Sequence, residues 1–244
     1  MATGDNAQRS PGEEHEDFRI RVAREKRLRM RARLQDAAID VFGAASPAKS
    51  PTIDDVIGAA DVSRGTFYKY YSSLEDLLWE IGTRVANDIL ATYKTLFSKP
   101  RSPSVNLLCG PLLSMVHAGM DPAKAAIAAR VDFVEYFSRQ NNLRNIVVSA
   151  LVNAAGEGLI SYPSLEAATD FVVGCTLEGM RRASRQREAR EEYIQQMTAM
   201  IGAGLQMDET LCSESIAESW GIILERGPSL NWWSPEKLKR TASD

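Results

Sequence analysis

The chain is 244 residues long and 44% hydrophobic, enough for one sizeable core or two smaller modules that share a helix. It reads as soluble and cytoplasmic. No apolar run approaches the roughly 20 residues that span a bilayer, no signal peptide is evident, and Cys109, Cys175 and Cys212 lack the spacing of a metal site or disulfide framework. The net charge of −3 is unevenly spread: residues 19–71 carry eleven Lys and Arg against six Asp and Glu, leaving 18 against 26 elsewhere, so attraction for a polyanion is confined to one end.

Residues 1–18 are polar and read as a disordered leader. A first helix is expected over 22–43. Its beginning holds the run Arg19, Arg21, Arg24, Lys26, Arg27, Arg29, Arg31 and Arg33, opposed only by Glu25. Such a run is either a solvated face or an arm along phosphates or in a minor groove, and the second reading is preferred. Thr52 is a good N-cap for a helix over 53–60, with Asp54 and Asp55 in the first turn and Ile53, Val56, Ile57 and Ala60 on one face. Asp61 tolerates a left-handed turn, Val62 plugs the angle, and Ser63 caps a second helix over 64–70. Its outward Arg64, Thr66, Lys69 and Tyr70 suit phosphates and base edges, so residues 52–71 form a helix-turn-helix signature.

A fourth helix starts at Ser73, paired with Asp76 in a weak capping box, and runs to Phe97 before the break at 98–103. Further helices are expected at 105–119, 122–140 (N-cap Asp121, then Pro122), 142–156, 164–187, 189–207 and 209–225, with Gly156, Gly158 and Pro163 as punctuation. No strand is expected. The 164–187 segment carries two apolar stripes, one of Leu165, Ala168, Phe171, Val172 and Cys175, the other of Val173, Leu177 and Met180. One stripe suffices for a helix facing a single core. The second stripe, with Ile194, Met197 and Ile201 of the next helix and small Gly174, Gly179 and Ala183, therefore marks a dimer interface, the alternative being a helix buried within one chain. The adjacent Trp232 and Trp233 are expected to dock on their own body or on a partner subunit.

The blocks Ala37–Phe42, Thr52–Val56, Val62-Ser-Arg-Gly-Thr-Phe-Tyr-Lys-Tyr-Tyr71 and Leu77-Leu78 resemble the tetracycline-repressor (TetR-like) family of transcription regulators. The likeness covers about the first third of the chain well and the rest in outline. It departs at Ile57 and Asp61, where the family usually has Ala and Gly, and at Leu74, where a phosphate-contacting lysine is common. The loop from Gly43 to Pro51 is also richer in proline. The resemblance implies an all-α fold: a leader 1–18, a three-helix DNA-binding domain 19–72, an effector-binding and dimerisation domain 73–227 joined to it by helix 4, and a tail 228–244.

It also implies a homodimer that reads a palindromic operator in double-stranded DNA, most simply as a repressor released by a small hydrophobic or aromatic effector. In the reading head, Arg64 can pair bidentately with guanine and Thr66 can offer a hydroxyl or methyl. Tyr68 and Lys69 hold phosphates by resemblance, with Tyr70 near the backbone and Gly65 permitting close approach. Thr52 and Ser63 complete the DNA-contacting set, and Phe67 is assigned to the core beside Phe42. The effector pocket is sought among Tyr93, Phe97, Met115, His117, Met120, Phe133, Tyr136, Phe137 and Cys175, although such residues are also ordinary core. The interface set is Val173, Leu177, Met180, Ile194, Met197 and Ile201. An enzyme is disfavoured: His15 and His117 are the two histidines, and no nucleophile elbow, P-loop, dinucleotide fingerprint or metal motif occurs, so neither metal nor cofactor is expected. A TetR-like protein acting through a protein partner, or as an activator, remains the alternative.

Overall fold

A computed structural model of the protein describes residues 11–45, 50–128, 142–185, 190–234 and 236. The structure is 82% helical, and no strand occurs among the described residues. The first helix, α1 (Pro11–Ala44), begins eleven residues earlier than expected. The disordered leader is therefore corrected for residues 11–18. Beyond Gly12 nothing breaks a helix before Gly43, and the Arg-, Glu- and Ala-rich composition has high helix propensity. Residues 18–29 are all exposed; packing starts at Met30 and Arg31 and deepens through Leu34, Ala37, Ala38 and Phe42.

Helix α2 (Ile53–Ala60) has the extent read from the sequence, and its cap is a full capping box: Thr52 accepts from the Asp55 amide, while Asp55 accepts from the Thr52 amide. Asp61 closes α2 in the left-handed region at φ 49°, so it adopts the backbone that glycine usually supplies at such a turn. Helix α3 (Arg64–Tyr68) ends two residues early, because Tyr70 and Tyr71 both bond back to the Phe67 carbonyl and tighten the last turn. Helix α4 (Leu74–Leu96) is capped by Ser73, but the reciprocal arm is corrected: Asp76 accepts from Ser72, not Ser73. Leu74, in place of lysine, is half-buried against the core.

The body is built around α5 (Pro103–Met120), fourteen of whose residues are buried despite the interior Pro111. Asp121 accepts from the Lys124 amide and starts α6 (Pro122–Ala128), which rests on α1 and α4. At that contact Gly43 has no room for a side chain, since a Cβ would lie 2.8 Å from Ala123 Cβ. Around α5 pack α7 (Asn142–Gly156), α8 (Leu165–Arg185), α9 (Arg190–Gly204) and α10 (Glu209–Arg226). The chain leaves α9 sooner than expected because Gln206 takes a left-handed turn, φ 58°. A short 3-10 turn (Gly227–Ser229) leads into the tryptophan pair, which docks on its own body: Trp232 Nε1 donates to Thr92 Oγ1 at 3.4 Å, its ring meets His117 edge-on at 4.8 Å, and Trp233 lies on Gly227.

Candidate nucleic-acid interface and effector cavity

The short helix α3 is held by what it buries. Phe67 is fully inside, in the same core as Phe42 and Val56, and its ring lies 6.0 Å from that of the buried Tyr71. That leaves Ser63, Arg64, Gly65, Tyr68 and Lys69 exposed, with Thr66 and Tyr70 half-buried. Two members of the expected DNA-contacting set have other work: Thr52 Oγ1 is spent on Asp55, and Ser63 Oγ on the Thr66 amide (3.1 Å) and hydroxyl (2.9 Å). Thr66 therefore presents its methyl group more freely than its hydroxyl. Arg64 stands 3.7 Å from Asp54, an exposed pair that costs little to break. The surface at α3 thus presents the Arg64 and Lys69 cations and the exposed Tyr68 phenol beside the carboxylates of Asp54 and Asp61.

Behind it lies a polar clamp that sequence reading missed. Arg31 of α1 pairs with both oxygens of Glu80 on α4, with a Nε–Oε1 distance of 3.2 Å, and covers the Tyr71 ring at 4.8 Å. Gln35, buried on α1, donates to Tyr71 Oη (3.1 Å) and Glu80 Oε1 (2.8 Å) and accepts from Arg84 (2.7 Å). Burial raises the Tyr71 pKa, and the hydrogen bond to Glu80 raises that of Arg31. One buried amide thus joins α1, the end of the helix-turn-helix and α4. In the sequence these residues look like ordinary surface charges, because their partners lie more than thirty positions away.

Further along, α4 forms one wall of an apolar cavity of about 80 Å³. Gly82, Val85, Ala86, Ile89, Leu90 and Tyr93 face Pro111 and Ser114 of α5, Ile146 and Val147 of α7, and Val173, Thr176 and Leu177 of α8. Polar groups in the lining are few. The hydroxyl protons of Ser114 and Thr176 go to carbonyls one turn back, at 2.9 and 2.7 Å, leaving lone pairs free to accept. Burial raises the pKa of the Tyr93 phenol and pushes the neighbouring Cys109 thiol up to about 12. A wider cleft of about 480 Å³ adjoins this chamber at Leu90, Tyr93 and Ile146 and adds Lys94, Asn106, Asn145, Ser149 and Asn153.

The two residue sets expected of the body are distributed around this cavity. Of the pocket candidates, Tyr93 is in the wall. Phe97 stacks behind it at 5.5 Å, Met115 is fully buried against Gly179, and Cys175 is half-buried outside the lining. Met120 accepts from the Ser234 amide at 3.3 Å. His117 is sealed under Trp232, and burial lowers its pKa. Phe133, Tyr136 and Phe137 lie outside the described residues. Of the interface candidates, Val173, Leu177 and Met180 line the cavity, Ile194 and Ile201 are fully buried, and Met197 packs beside Gly179. Within one chain, the second stripe of α8 thus faces this void. What α8 and α9 do expose is Phe171, which lies over Gly204, and Met200, 65% exposed one turn before it.

Taken together, the architecture is all-α, a helix-turn-helix module joined by α4 to a helical body with an internal chamber. No protein-family description and no curated protein sequence matches the chain. Solved structures do share its fold. RolR, crystallised with resorcinol, superposes with a TM-score of 0.53 at 17% identity over 79% of this chain and 95% of that one. Two structures of gamma-butyrolactone receptors described as ArpA-like give 0.56 at 15% identity (82% of this chain, 99% of that one) and 0.55 at 16% (82% and 98%). Among the described residues no helix is long and apolar enough to cross a membrane, and no cluster of His, Cys, Asp or Glu could hold a metal ion.

Proposed function

We propose that the protein is a TetR-like, homodimeric transcriptional regulator, a repressor that leaves a palindromic operator when a small apolar molecule enters the cavity of its body. The observation that carries this reading is the double use of α4. The helix starts one turn after the recognition helix, is tied to α1 through Glu80 and Arg84, and supplies six residues of the cavity lining. A ligand that shifts the wall shifts the joint. In this reading residues 19–72 form the DNA-binding domain and 73–227 the sensing and dimerising one. Arg64 reads a base edge, Thr66 offers its methyl, and Tyr68 and Lys69 hold phosphates.

The effector is a single-ring compound. A water-sized group needs about 10–15 Å³ of such volume, so the chamber holds roughly six. Its lining favours an apolar body bearing one or two hydroxyls that donate to Ser114 or Thr176. The neighbours support this size class, one solved with resorcinol and the others named for gamma-butyrolactone. Dimerisation is assigned to the exposed face of α8 and α9 around Phe171, Gly174 and Met200. The test is to recover the DNA fragments that purified protein retains, then titrate the operator with simple phenols and lactones. Linkage requires that an effector which weakens DNA binding is itself weakened by DNA by the same factor, typically about 1–3 kcal/mol. A ligand that binds in the cavity and leaves operator affinity unchanged would reject release by that route.

A further inference from the structure

We infer that the first half of α1 is a second DNA-contacting element, reaching duplex beyond the base pairs that α3 reads. The inference rests on the reading of α2 and α3 as a DNA-binding head. Every residue from 18 to 29 is exposed, so this part of the helix packs on nothing among the described residues. At 1.5 Å per residue it extends about 18 Å, alongside which a duplex presents about ten phosphates. It carries Arg19, Arg21, Arg24, Lys26, Arg27 and Arg29 against Glu25 alone, which pairs loosely with Arg29 at 3.5 Å.

The distribution of side chains names the partner. At 100° per residue Phe18 and Val22 share a side, but Glu25, Lys26 and Arg29 come next on it, and Ile20 and Leu28 lie elsewhere, so no apolar stripe runs along this helix for another helix or a membrane surface. The cations also surround the axis, so whichever side meets a polyanion is basic. An unpacked helix of this length is marginal in water, and a row of phosphates supplies the partner that its charge requires. The extension is also rooted at the reading head. Arg33, one turn beyond it, donates to the carbonyl of Asp61 at 3.2 Å, in the turn that launches α3. A protein docked through α3 therefore carries this helix to the same duplex.

A helix lying along a duplex turns about half its side chains towards it, so six cations give roughly three phosphate contacts per protomer. Each contributes about 0.9 to the slope of log affinity against log salt. The experiment uses the full-length protein and a labelled duplex of random sequence about three helical turns long, titrated between about 50 and 200 mM KCl. Replacing all six cations by Gln should flatten the slope by about 2.7 per protomer, so that over that range the wild type loses about 40-fold more affinity than the variant for each protomer engaged. Replacing the five arginines by Lys should keep the wild-type slope, and circular dichroism should show equal melting of all three proteins. A Gln variant whose slope changes by less than about one overturns the inference while leaving the reading head intact. A wild type that binds no duplex overturns both.

Discussion

Filling the cavity from α4 separates stability from sensing. Ala86 is buried and lines the chamber of about 80 Å³. Leu at this position adds three carbons, each taking about 10–15 Å³ of such volume, and so occupies about half of the space and leaves too little for a ring. Burying them contributes about 2.4 kcal/mol, at about 0.8 kcal/mol each. Lost rotamer freedom takes back about 0.5–1 kcal/mol, and helix propensity is nearly level between the two residues. Ala86→Leu should therefore stabilise the protein by about 1.5 kcal/mol and raise its melting temperature by about 3–6 °C. The same variant should keep operator affinity and ignore effector. The assay is thermal melting with and without resorcinol, gamma-butyrolactone and related single-ring compounds, followed by operator titration with any compound that stabilises the wild type. A lower melting temperature would mean that the side chain meets packed atoms. An undiminished ligand-induced shift would place the effector elsewhere.

In the reading head, Arg64→Ala should relax base preference at one symmetric pair of operator positions, costing about 1–3 kcal/mol per contact, whereas Lys69→Ala should weaken all sequences alike and reduce the salt slope by about one. Equal losses on every DNA would refute the division of roles. Gln35→Leu keeps the shape of the clamp but removes its three hydrogen bonds, and should cost about 1–3 kcal/mol in chemical denaturation while loosening the effector's hold on operator release; a variant as stable and responsive as the wild type would show that the clamp carries neither. His117 is held below its usual pKa by burial, so below pH of about 6.5 the unfolded chain takes up a proton more readily and stability falls as pH drops through the lowered folded value. His117→Gln should remove that share of the decline between about pH 7 and 5, visible as a shallower fall in urea midpoints, and identical profiles would contradict the assignment. Met200→Glu should shift sedimentation from dimer to monomer without lowering helicity; an undisturbed dimer would move the interface off this face.

The caps were legible because their chemistry is local. Thr52, Asp61, Ser63, Ser73 and Asp121 each act within a few residues, and each stands at the helix boundary that its side chain suggests. Phe67, placed in the core by the family resemblance, is fully buried. The cavity was not legible. Its lining of Val, Ile, Leu, Ala and Gly has the same pattern as solid packing, and whether apolar side chains meet or leave a gap depends on how far apart the helices lie. The Met and aromatic residues that drew attention, Met115 above all, fill space instead of enclosing it. The stripe of Val173, Leu177 and Met180 lines the cavity, and a stripe surplus to one packing face meets a void or another chain with the same sequence pattern.

The meeting of Gly43 with Ala123 gives the module a second bearing. A head hung from α4 alone could roll about that helix's axis; one that also rests on α6 has its tilt set by two struts. The clearance at the second strut is less than one methyl group, so there is almost no backlash between body and head. From this contact α1 runs back about 48 Å to Pro11, so geometry makes it a pointer: a turn of about 5° at the bearing corresponds to about 4 Å at its tip.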